Sequence, residues 1–447
     1  MRFAVCNLRF TICGVVATAA LWPSFAQETN PAPQRIDLPT ALRLAGAQNL
    51  EVALARERLA EARAQHESTR LQFFPWLSPG IAYRRHDGNT QSTEGDIVDV
   101  NKQSYAPGAV FGVQLDLGEA VYRNLAARQL ARAADFGLEE QRLKSVLNAA
   151  QGYFDLALAQ ASVEIAREAV AIATNHETQL ASAVDAGIAF KGDLLRVRVQ
   201  VEQNHLALRR AIEQEQVAGS RLAQTLRLNP AVRLEANVGD LTPLSLMDTN
   251  RALADFVAQA LVSHPSISQS RAFTEAARDA KNGTVYGPMI PSVGAQAFFG
   301  GLGGGRNGDT GNFGDQQDYF FGLSWRIGPG GLFDTGRKRT AQARLKSAQL
   351  AEAKNRDELT RIVAETYAAF QSAQDRLAGA RRALAAAEEG LRLAQERREF
   401  GVGIVLENIQ AEQDLTRGRQ AYANAIADFD KAQFTLATVA GQLATQK

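Results

Sequence analysis

Cysteine is nearly absent: the 447 residues contain two, Cys6 and Cys13. Both lie in an N-terminal segment, residues 1–26, that has the basic start, apolar run and small-residue end of a secretory signal. Nothing resembling a lipobox precedes Cys13, so we do not expect a lipid anchor there. Cleavage after Ala26 would leave an exported chain without thiols, which excludes disulfides, thiolate nucleophiles and cysteine metal sites.

Three further absences narrow the class of protein. Beyond the signal there is no run of 18 apolar residues, so no transmembrane helix is predicted. The 49 basic and 48 acidic side chains leave a net charge of +1, and no nucleic-acid partner is expected. The five histidines are scattered without metal-ligand spacing, and no nucleophile motif of a hydrolase occurs, so the sequence predicts no metal, no cofactor and no enzyme activity.

Proline is missing from two long stretches, residues 109–229 and 330–447. Both are rich in Ala, Leu, Glu, Gln and Arg, which favour helix, and proline would break one. In the first stretch, apolar or small residues recur every three to four positions from Leu143 to Ile172, which indicates a long amphipathic helix. Glycines interrupt the stretches near residues 187 and 401, so each stretch predicts an antiparallel helix hairpin.

The chain also repeats itself. Pro75 and Pro291 are 216 residues apart, and so are Phe154 and Phe370. We therefore predict two structural repeats after the signal, residues 27–243 and 244–447, each built as helix, strand hairpin, long helix, glycine turn and helix. The helix hairpins are expected to turn at residues 187–192 and 401–406.

Alternation of apolar and polar residues predicts four strands. They span about residues 80–87, 109–118, 292–300 and 318–328. Two polar segments rich in turn-forming residues, residues 87–103 and 300–317, are predicted to be the connecting loops. The apolar positions that we expect to face lipid are Phe111, Val113, Leu115, Tyr319, Phe321, Leu323 and Trp325.

Four strands are too few to close a membrane barrel, since the smallest have about eight. Three copies of the chain would supply twelve strands, and the aromatic residues fit the girdles found at bilayer surfaces. A soluble sandwich packed on helices is the alternative that the strand pattern leaves open.

In several motifs the chain resembles the outer-membrane efflux protein family, the TolC type of trimeric channel-tunnel. They are the paired segments QNLEVALARERLAEARA and SHPSISQSRAFTEAARDA, the prolines in FFPWLSP and MIPSVGA, and a glycine followed six residues later by an acid in GIAFKGD and GVGIVLE. The resemblance covers about residues 37–446. It implies a mainly helical fold whose long hairpins form one third of a twelve-helix tunnel and whose strands form one third of a twelve-stranded outer-membrane barrel.

That resemblance also implies function. A homotrimer would act as a passive exit duct of a tripartite efflux pump or a type I secretion system, reaching from the outer membrane into the periplasm. Its partners would be a periplasmic adaptor (membrane fusion) protein, an inner-membrane transporter and outer-membrane lipid. The sequence does not distinguish drug, metal and protein cargo. A periplasmic coiled-coil adaptor is the other function that we considered, although such adaptors typically carry one hairpin.

By position, the family's gate corresponds to Glu407 and Asp193, whose carboxylates in a threefold lumen would repel one another and bind cations. An acidic residue near a helix start is also favoured by the helix dipole, so an ordinary structural role remains open. Two positions depart from the family: Gln410 replaces a second acid, and Gly403 replaces an arginine. The nearby residues that could substitute for that arginine are Arg397 and Arg398.

The hairpin turns are where the resemblance places the adaptor contact. The residues concerned are Gly187, Ile188, Ala189, Gly401, Val402 and Gly403. Elsewhere, residues 328–339, GPGGLFDTGRKR, come within two positions of a phosphate-binding loop. We expect these glycines to form the bend between a strand and the following helix rather than a nucleotide site.

Overall fold

The computed structural model describes residues 34–230, 232–237, 241–248, 251–400 and 404–442. The predicted signal and the turn residues Gly401, Val402 and Gly403 lie outside these residues. The described part is mostly helix with one four-stranded antiparallel sheet. In chain order, its elements are β1 (Gln34–Ile36), α1 (Leu38–Gln48), α2 (Leu50–Leu71), β2 (Trp76–Gln91), β3 (Ile97–Asp116), α3 (Leu117–Asp185), α4 (Lys191–Leu226), β4 (Leu234–Ala236), α5 (Leu253–Ser263), α6 (Pro265–Tyr286), β5 (Ser292–Arg306), β6 (Asn312–Ser324), α7 (Thr335–Glu399) and α8 (Val405–Val439).

One order of elements occurs twice: two helices, a strand hairpin, a very long helix and a shorter one. The paired helices that open each half are separated by a capping residue. Asn49 caps α2 by accepting from the Glu51 amide, and His264 caps α6 by accepting from the Ser266 amide. Pro265 at the first position of α6 fits that cap because it needs no amide partner there.

The two longest helices set the dimensions of the molecule. With 69 residues in α3 and 65 in α7, each extends for about 100 Å at 1.5 Å per residue. Near the sheet, α3 packs against α2 and α6; farther away, it packs against α4 and α8. The alanines along α3 are buried in these contacts and let neighbouring helices approach closely.

Two aromatic clusters hold the helices together midway along their length. Phe154 and Phe370, which occupy equivalent positions in the two halves, are 0% and 1% exposed. The Phe154 ring lies 5.6 Å from that of Phe434, and the Phe370 ring lies 5.7 Å from that of Phe429. Since both partner rings belong to α8, this helix joins the two halves. The parallel pairing of β1 with β4 closes the first cluster.

The strands are longer than the sequence predicts, and the loops between them are correspondingly shorter. Most of residues 87–103 and 300–317 belong to strands, leaving turns at 92–96 and 307–311. The glycines of β5 belong in a strand because aromatic rings of neighbouring strands cover them. An ideal Cβ on Gly303 would lie 2.3 Å from the Tyr105 ring, and one on Gly301 would lie 2.2 Å from the Phe313 ring.

At the other end of the sheet, two predicted strands extend too far. β3 ends at Asp116, and β6 ends at Ser324, so Trp325 lies just beyond the strand in which the sequence places it. Gly328 and Gly330 adopt positive φ angles of 115° and 75°, which turn the chain away from the sheet toward α7. The second helix hairpin also resumes earlier than predicted, since α8 begins at Val405.

A buried carboxyl fixes the segment between the halves. Asp430 of α8 is 0% exposed, and its Oδ1 accepts a hydrogen bond of 2.9 Å from the Leu244 amide. Gln433 accepts from the Leu246 amide and donates to the Leu244 carbonyl. Burial raises the pKa of Asp430 from its ordinary 3.8 to about 7, although the amide hydrogen bond opposes this change.

The raised pKa of Asp430 predicts a pH-dependent stability. Only the folded state holds this proton between about pH 4 and 7, so stability falls as pH rises through that window and reaches its low value above it. We expect Asp430→Asn to leave thermal unfolding unchanged near pH 4.5 and to stabilise the protein by on the order of 2–4 kcal/mol at pH 8. Circular dichroism melts at both pH values measure this.

Asp428→Asn is the matched control for that measurement, because Asp428 is exposed on the same helix and pairs with Arg376 at 3.6 Å. If stability depended on pH equally in Asp430→Asn and in the unsubstituted protein, Asp430 would not be the source of the pH dependence.

Candidate functional site

The sheet separates its side chains into two faces by residue number. Its strand order is β2-β3-β5-β6, and all three pairings are antiparallel. Trp76 pairs with Gly112, Gly112 with Gln296, and Gln296 with Phe320. Even-numbered residues therefore share one face throughout and odd-numbered residues share the other, because successive side chains on a strand point to opposite faces.

The odd-numbered face is the apolar one. Six of the seven residues that we expected to face lipid lie on it within β3 and β6, and Trp325 follows directly after β6. They meet through β5, as the register shows: Leu115, Val293 and Leu323 form one rung, and Val113, Ala295 and Phe321 form the next. Tyr319 and Phe321 are each 70% exposed, so none of the described residues covers this part of the face.

The apolar face has the height of a membrane. It begins at Leu323 and continues to the rung of Tyr83, Tyr105 and Phe313. Ten residues at about 3.4 Å per residue give about 34 Å along the strand, or about 26 Å for strands tilted by 40°. Membrane barrels carry an outward apolar band about 25 Å tall. Within this height, the one charged side chain among the described strand residues of the odd-numbered face is Asp315, on the edge strand β6. Beyond the rung of Tyr83, Arg85 and Asp87 mark the return to charged residues.

The even-numbered face is polar and rich in small residues. It presents mainly glycine, serine and glutamine between occasional aromatic rings such as Phe298, which packs over Gly108 and Gly300. The two faces therefore differ as strongly as the outside and inside of a water-filled barrel, in which outward apolar residues alternate with inward polar ones.

At the junction between β6 and α7, a carboxylate of the chain itself accepts hydrogen bonds from backbone amides. In a phosphate-binding loop, the phosphate would accept such bonds. Asp334 caps α7 by accepting from the Arg337 amide at 2.8 Å, and it also accepts from the Gly330 amide at 3.0 Å. These backbone hydrogen bonds lower the pKa of Asp334. The Arg337 and Lys338 side chains donate to the carbonyls of Gly330 and Leu332. This loop therefore satisfies its own polar groups and is the expected bend.

The first helix hairpin exposes apolar residues at its turn. Gly187 has a φ of 74° and ends α3, with its amide donating to the Val184 carbonyl and the Ile188 amide donating to Ala183. Only glycine adopts this left-handed conformation without strain. Ile188 is 81% exposed and Phe190 is 72% exposed, whereas Ala189 packs partly against the adjacent apolar cluster.

The second hairpin shows a similar surface on both sides of residues 401–403, which the structure does not describe. Phe400 is 82% exposed, Ile404 is 64% exposed and Leu406 is 47% exposed. The two hairpin ends lie side by side, because Val405 and Ile409 of α8 pack against the cluster formed by the ends of α3 and α4. Apolar side chains from both halves are thus displayed at the end of the molecule farthest from the sheet.

Both acidic residues assigned to the gate lie in the first turn of the helix that follows a hairpin turn. Asp193 accepts from Arg196 at 2.8 Å within α4. Glu407 of α8 contacts Arg397 of α7 at 3.2 Å. Arg397 is one of the two basic residues that we considered as substitutes for the arginine replaced by Gly403. The pair connects the two helices of the second helix hairpin, α7 and α8, close to its turn.

Sequence reasoning missed the polar contacts between the two hairpins. The His176 ring of α3 lies 3.2 Å from the Glu412 carboxylate of α8, and both side chains are largely buried. Gln413 donates to Gln200 at 2.5 Å. Asn408 is 1% exposed, and neither polar atom of its side chain has a hydrogen-bond partner among the described residues. No local pattern could reveal these contacts, since the partners are more than 200 residues apart.

Comparison with known proteins identifies similar chains. The model of the family described as outer membrane efflux protein matches residues 256–442. Protein CyaE of Bordetella pertussis is 28% identical over 311 residues, which are 68% of this chain and 63% of CyaE. This match thus spans less than two thirds of the relative. In the described part of the chain, none of the helices is both long and apolar enough for a membrane span.

Solved structures share the fold over most of the chain. The outer-membrane channel OprN is 20% identical, with a TM-score of 0.74 over 90% of this chain and 89% of its own. The outer membrane protein VceC of Vibrio cholerae is 19% identical, with a TM-score of 0.75 over 90% of this chain and 96% of its own. The predicted fold class is therefore confirmed: the chain is mostly helical with a four-stranded antiparallel sheet and has the fold of these outer-membrane channel proteins.

The assignment of the two faces predicts that arginine substitutions at adjacent positions of β3 affect assembly very differently. We expect Phe111→Arg, at mid-height on the odd-numbered face, to cost roughly 2–4 kcal/mol and to reduce assembly in the outer membrane. Val110→Arg, on the even-numbered face, should assemble normally. The measurement is the amount of heat-modifiable oligomer in outer-membrane fractions. Equal assembly of the two variants, or the reverse order, would show that the odd-numbered face does not contact lipid.

Proposed function

We infer that the chain belongs to the outer membrane efflux protein family, and we propose that three copies form a passive exit duct. The duct crosses the outer membrane and continues through the periplasm as a helical tunnel. It serves a tripartite efflux pump or a type I secretion system, in which an inner-membrane transporter supplies the energy. The duct itself catalyses no reaction.

One observation carries this proposal: the sheet has a membrane-high apolar face and two open edges. The outer edges of β2 and β6 have no strand partner among the described residues. In lipid, unpaired backbone groups cost several kcal/mol each, so a sheet that enters the bilayer must close on itself. Joining β6 of one protomer to β2 of the next satisfies both edges, and three protomers give twelve strands.

The long helices support the same assembly. α3 begins directly after β3, and α7 follows β6 after the bend at residues 325–334, so a closed ring of strands places the helices in a ring as well. The two hairpins of each protomer give twelve helices around the tunnel of a trimer. The buried seam between α3 and α8 stays within the protomer, and the remaining free helix faces meet the neighbouring copies.

In this assembly, Glu407 and Asp193 form the gate at the narrow end of the tunnel. Three copies of each carboxylate would face a common lumen and favour cations. The pairing of Glu407 with Arg397 supports a more specific role for this pair, because it joins α7 to α8 at the hairpin end. Loss of the pair would free that end to move outward.

Recordings in planar bilayers test both the duct and its gate. We expect the purified trimer to conduct, and Glu407→Ala to raise its single-channel conductance and weaken its cation preference. Glu388→Ala is the control, since Glu388 is exposed on α7 away from the turn. Unchanged conductance and selectivity in Glu407→Ala would remove it from the lumen. Recovery of the protein with soluble periplasmic contents, without conductance, would contradict the duct itself.

The adaptor binds the hairpin ends in this proposal. Exposed apolar side chains at an otherwise charged helix end are typical of a protein contact. Ile188 and Phe190 on the first hairpin and Phe400 and Ile404 on the second provide such a surface. The turn residues Gly187 and Ala189 lie at the same end of the first hairpin. By resemblance to the family, Gly401, Val402 and Gly403 would also take part in the adaptor contact.

Charged substitutions at the turn of the first helix hairpin, the tip, should prevent binding of the adaptor without affecting assembly of the channel. We expect Ile188→Asp with Phe190→Asp to abolish crosslinking to the periplasmic adaptor and cellular export, while the trimer and its bilayer conductance persist. Val199→Asp with Leu206→Asp is the control, because both residues are exposed on α4 away from the tip. Normal export by the tip variant would place the adaptor contact elsewhere.

A further inference from the structure

A row of basic residues crosses the even-numbered face near the turns of the strand hairpins. His86 of β2 pairs in register with Lys102 of β3, and Lys102 pairs with Arg306 of β5. Arg84 lies on the same face one rung nearer the helices, opposite Ser104. Four basic side chains from three strands therefore occupy two adjacent rungs, which we call the basic row.

The repulsion within the row costs free energy, which a bound anion would offset. Side chains directly opposite on antiparallel strands have Cβ atoms about 4.5–5.5 Å apart, and like charges at such positions destabilise the sheet. Among the described residues, no ion pair includes Arg84, Lys102 or Arg306. The Nε2 atom of His86 is buried and has no hydrogen-bond partner within the same described part of the chain.

Strand pairing continues beyond the basic row and keeps these charges close together. The Asn307 amide donates to the Asn101 carbonyl at 3.0 Å, so pairing continues past Lys102 and Arg306. On the even-numbered face, the nearest acidic strand residue is Asp318. It shares a rung with Val110, eight residues along β3 from Lys102, or about 27 Å at the usual strand rise.

On the odd-numbered face at the same height, the positive charge has an acidic partner. Arg85, between Arg84 and His86 in sequence, points to the odd-numbered face and pairs with Asp87 at 3.5 Å. The loop at 307–311 also folds to that side, because Gln103 donates to the Asp309 carbonyl and Tyr105 donates to the Thr310 carbonyl. The unbalanced positive charge thus belongs to one face alone.

We propose that the basic row is an anion-binding ring inside the outer mouth of the duct, which takes solutes bearing phosphate, sulfate or carboxylate groups. This inference rests on the proposed function, which puts the even-numbered face around the lumen. Arg84, Lys102 and Arg306 from three protomers place nine cations around one opening. Such a ring raises the local concentration of anions at the exit.

The test uses inorganic tripolyphosphate as the probe on single trimers in planar bilayers. Added at the mouth formed by the strand turns, it should block the unsubstituted channel at low salt. We expect Lys102→Gln with Arg306→Gln to weaken this block by on the order of tenfold, because two of the three permanent cations per protomer are lost. Lys102→Arg with Arg306→Lys keeps the charges and should keep the block.

Arg85→Gln is the matched control, since it removes a cation at the same height from the other face. A block that persists in Arg85→Gln and weakens only in the Lys102 and Arg306 variant supports the ring. Equal block in that variant and the unsubstituted channel would overturn it. Block lost in Arg85→Gln instead would place the anion on the lipid side, where phosphates of the outer leaflet could be its source, and would overturn the lumenal ring.

The experiment also separates failure of the ring from failure of the duct. A trimer that conducts but does not respond to tripolyphosphate overturns the ring and leaves the duct intact. A protein that forms no conducting trimer overturns both.

Discussion

The uninterrupted register of the four strands is the constraint on which the rest of the structure depends. Because every paired residue has a partner of the same parity, one face collects the apolar side chains and the other collects glycine and polar groups. A slip of one residue in any pair would move charged groups into the apolar face. At the helix end of the sheet, β3 runs directly into α3, whereas β6 is followed by the glycine bend that leads to α7.

Glycine makes this register possible in two different ways. Within β5, glycines leave room for Tyr105 and Phe313, so aromatic rings of neighbouring strands cover the backbone. Between β6 and α7, glycines at positive φ turn the chain, and Asp334 then caps the new helix. Glycine thus makes room for aromatic rings within β5 and turns the chain between β6 and α7, and the neighbouring residues determine which role it has.

The helices extend away from the sheet, and contacts between them hold their far end together. Their aromatic clusters join the two halves through α8, and the buried Asp430 ties the connecting segment to the same helix. Polar contacts such as that of His176 with Glu412 continue along the seam. α8 therefore links the core of the protomer to the hairpin end, where Glu407 meets Arg397.

Local patterns in the sequence determined the long helices, the four strands and their apolar residues, because proline, glycine and residue periodicity act within a few positions. They also indicated the fold through the resemblance of two repeated motifs. The tertiary structure decided the strand limits, since glycine-rich segments become strands only when a neighbour covers them. It also decided which side chains meet: the basic row comes from three strands, and the seam contacts join residues more than 200 positions apart, so no local pattern could place them together.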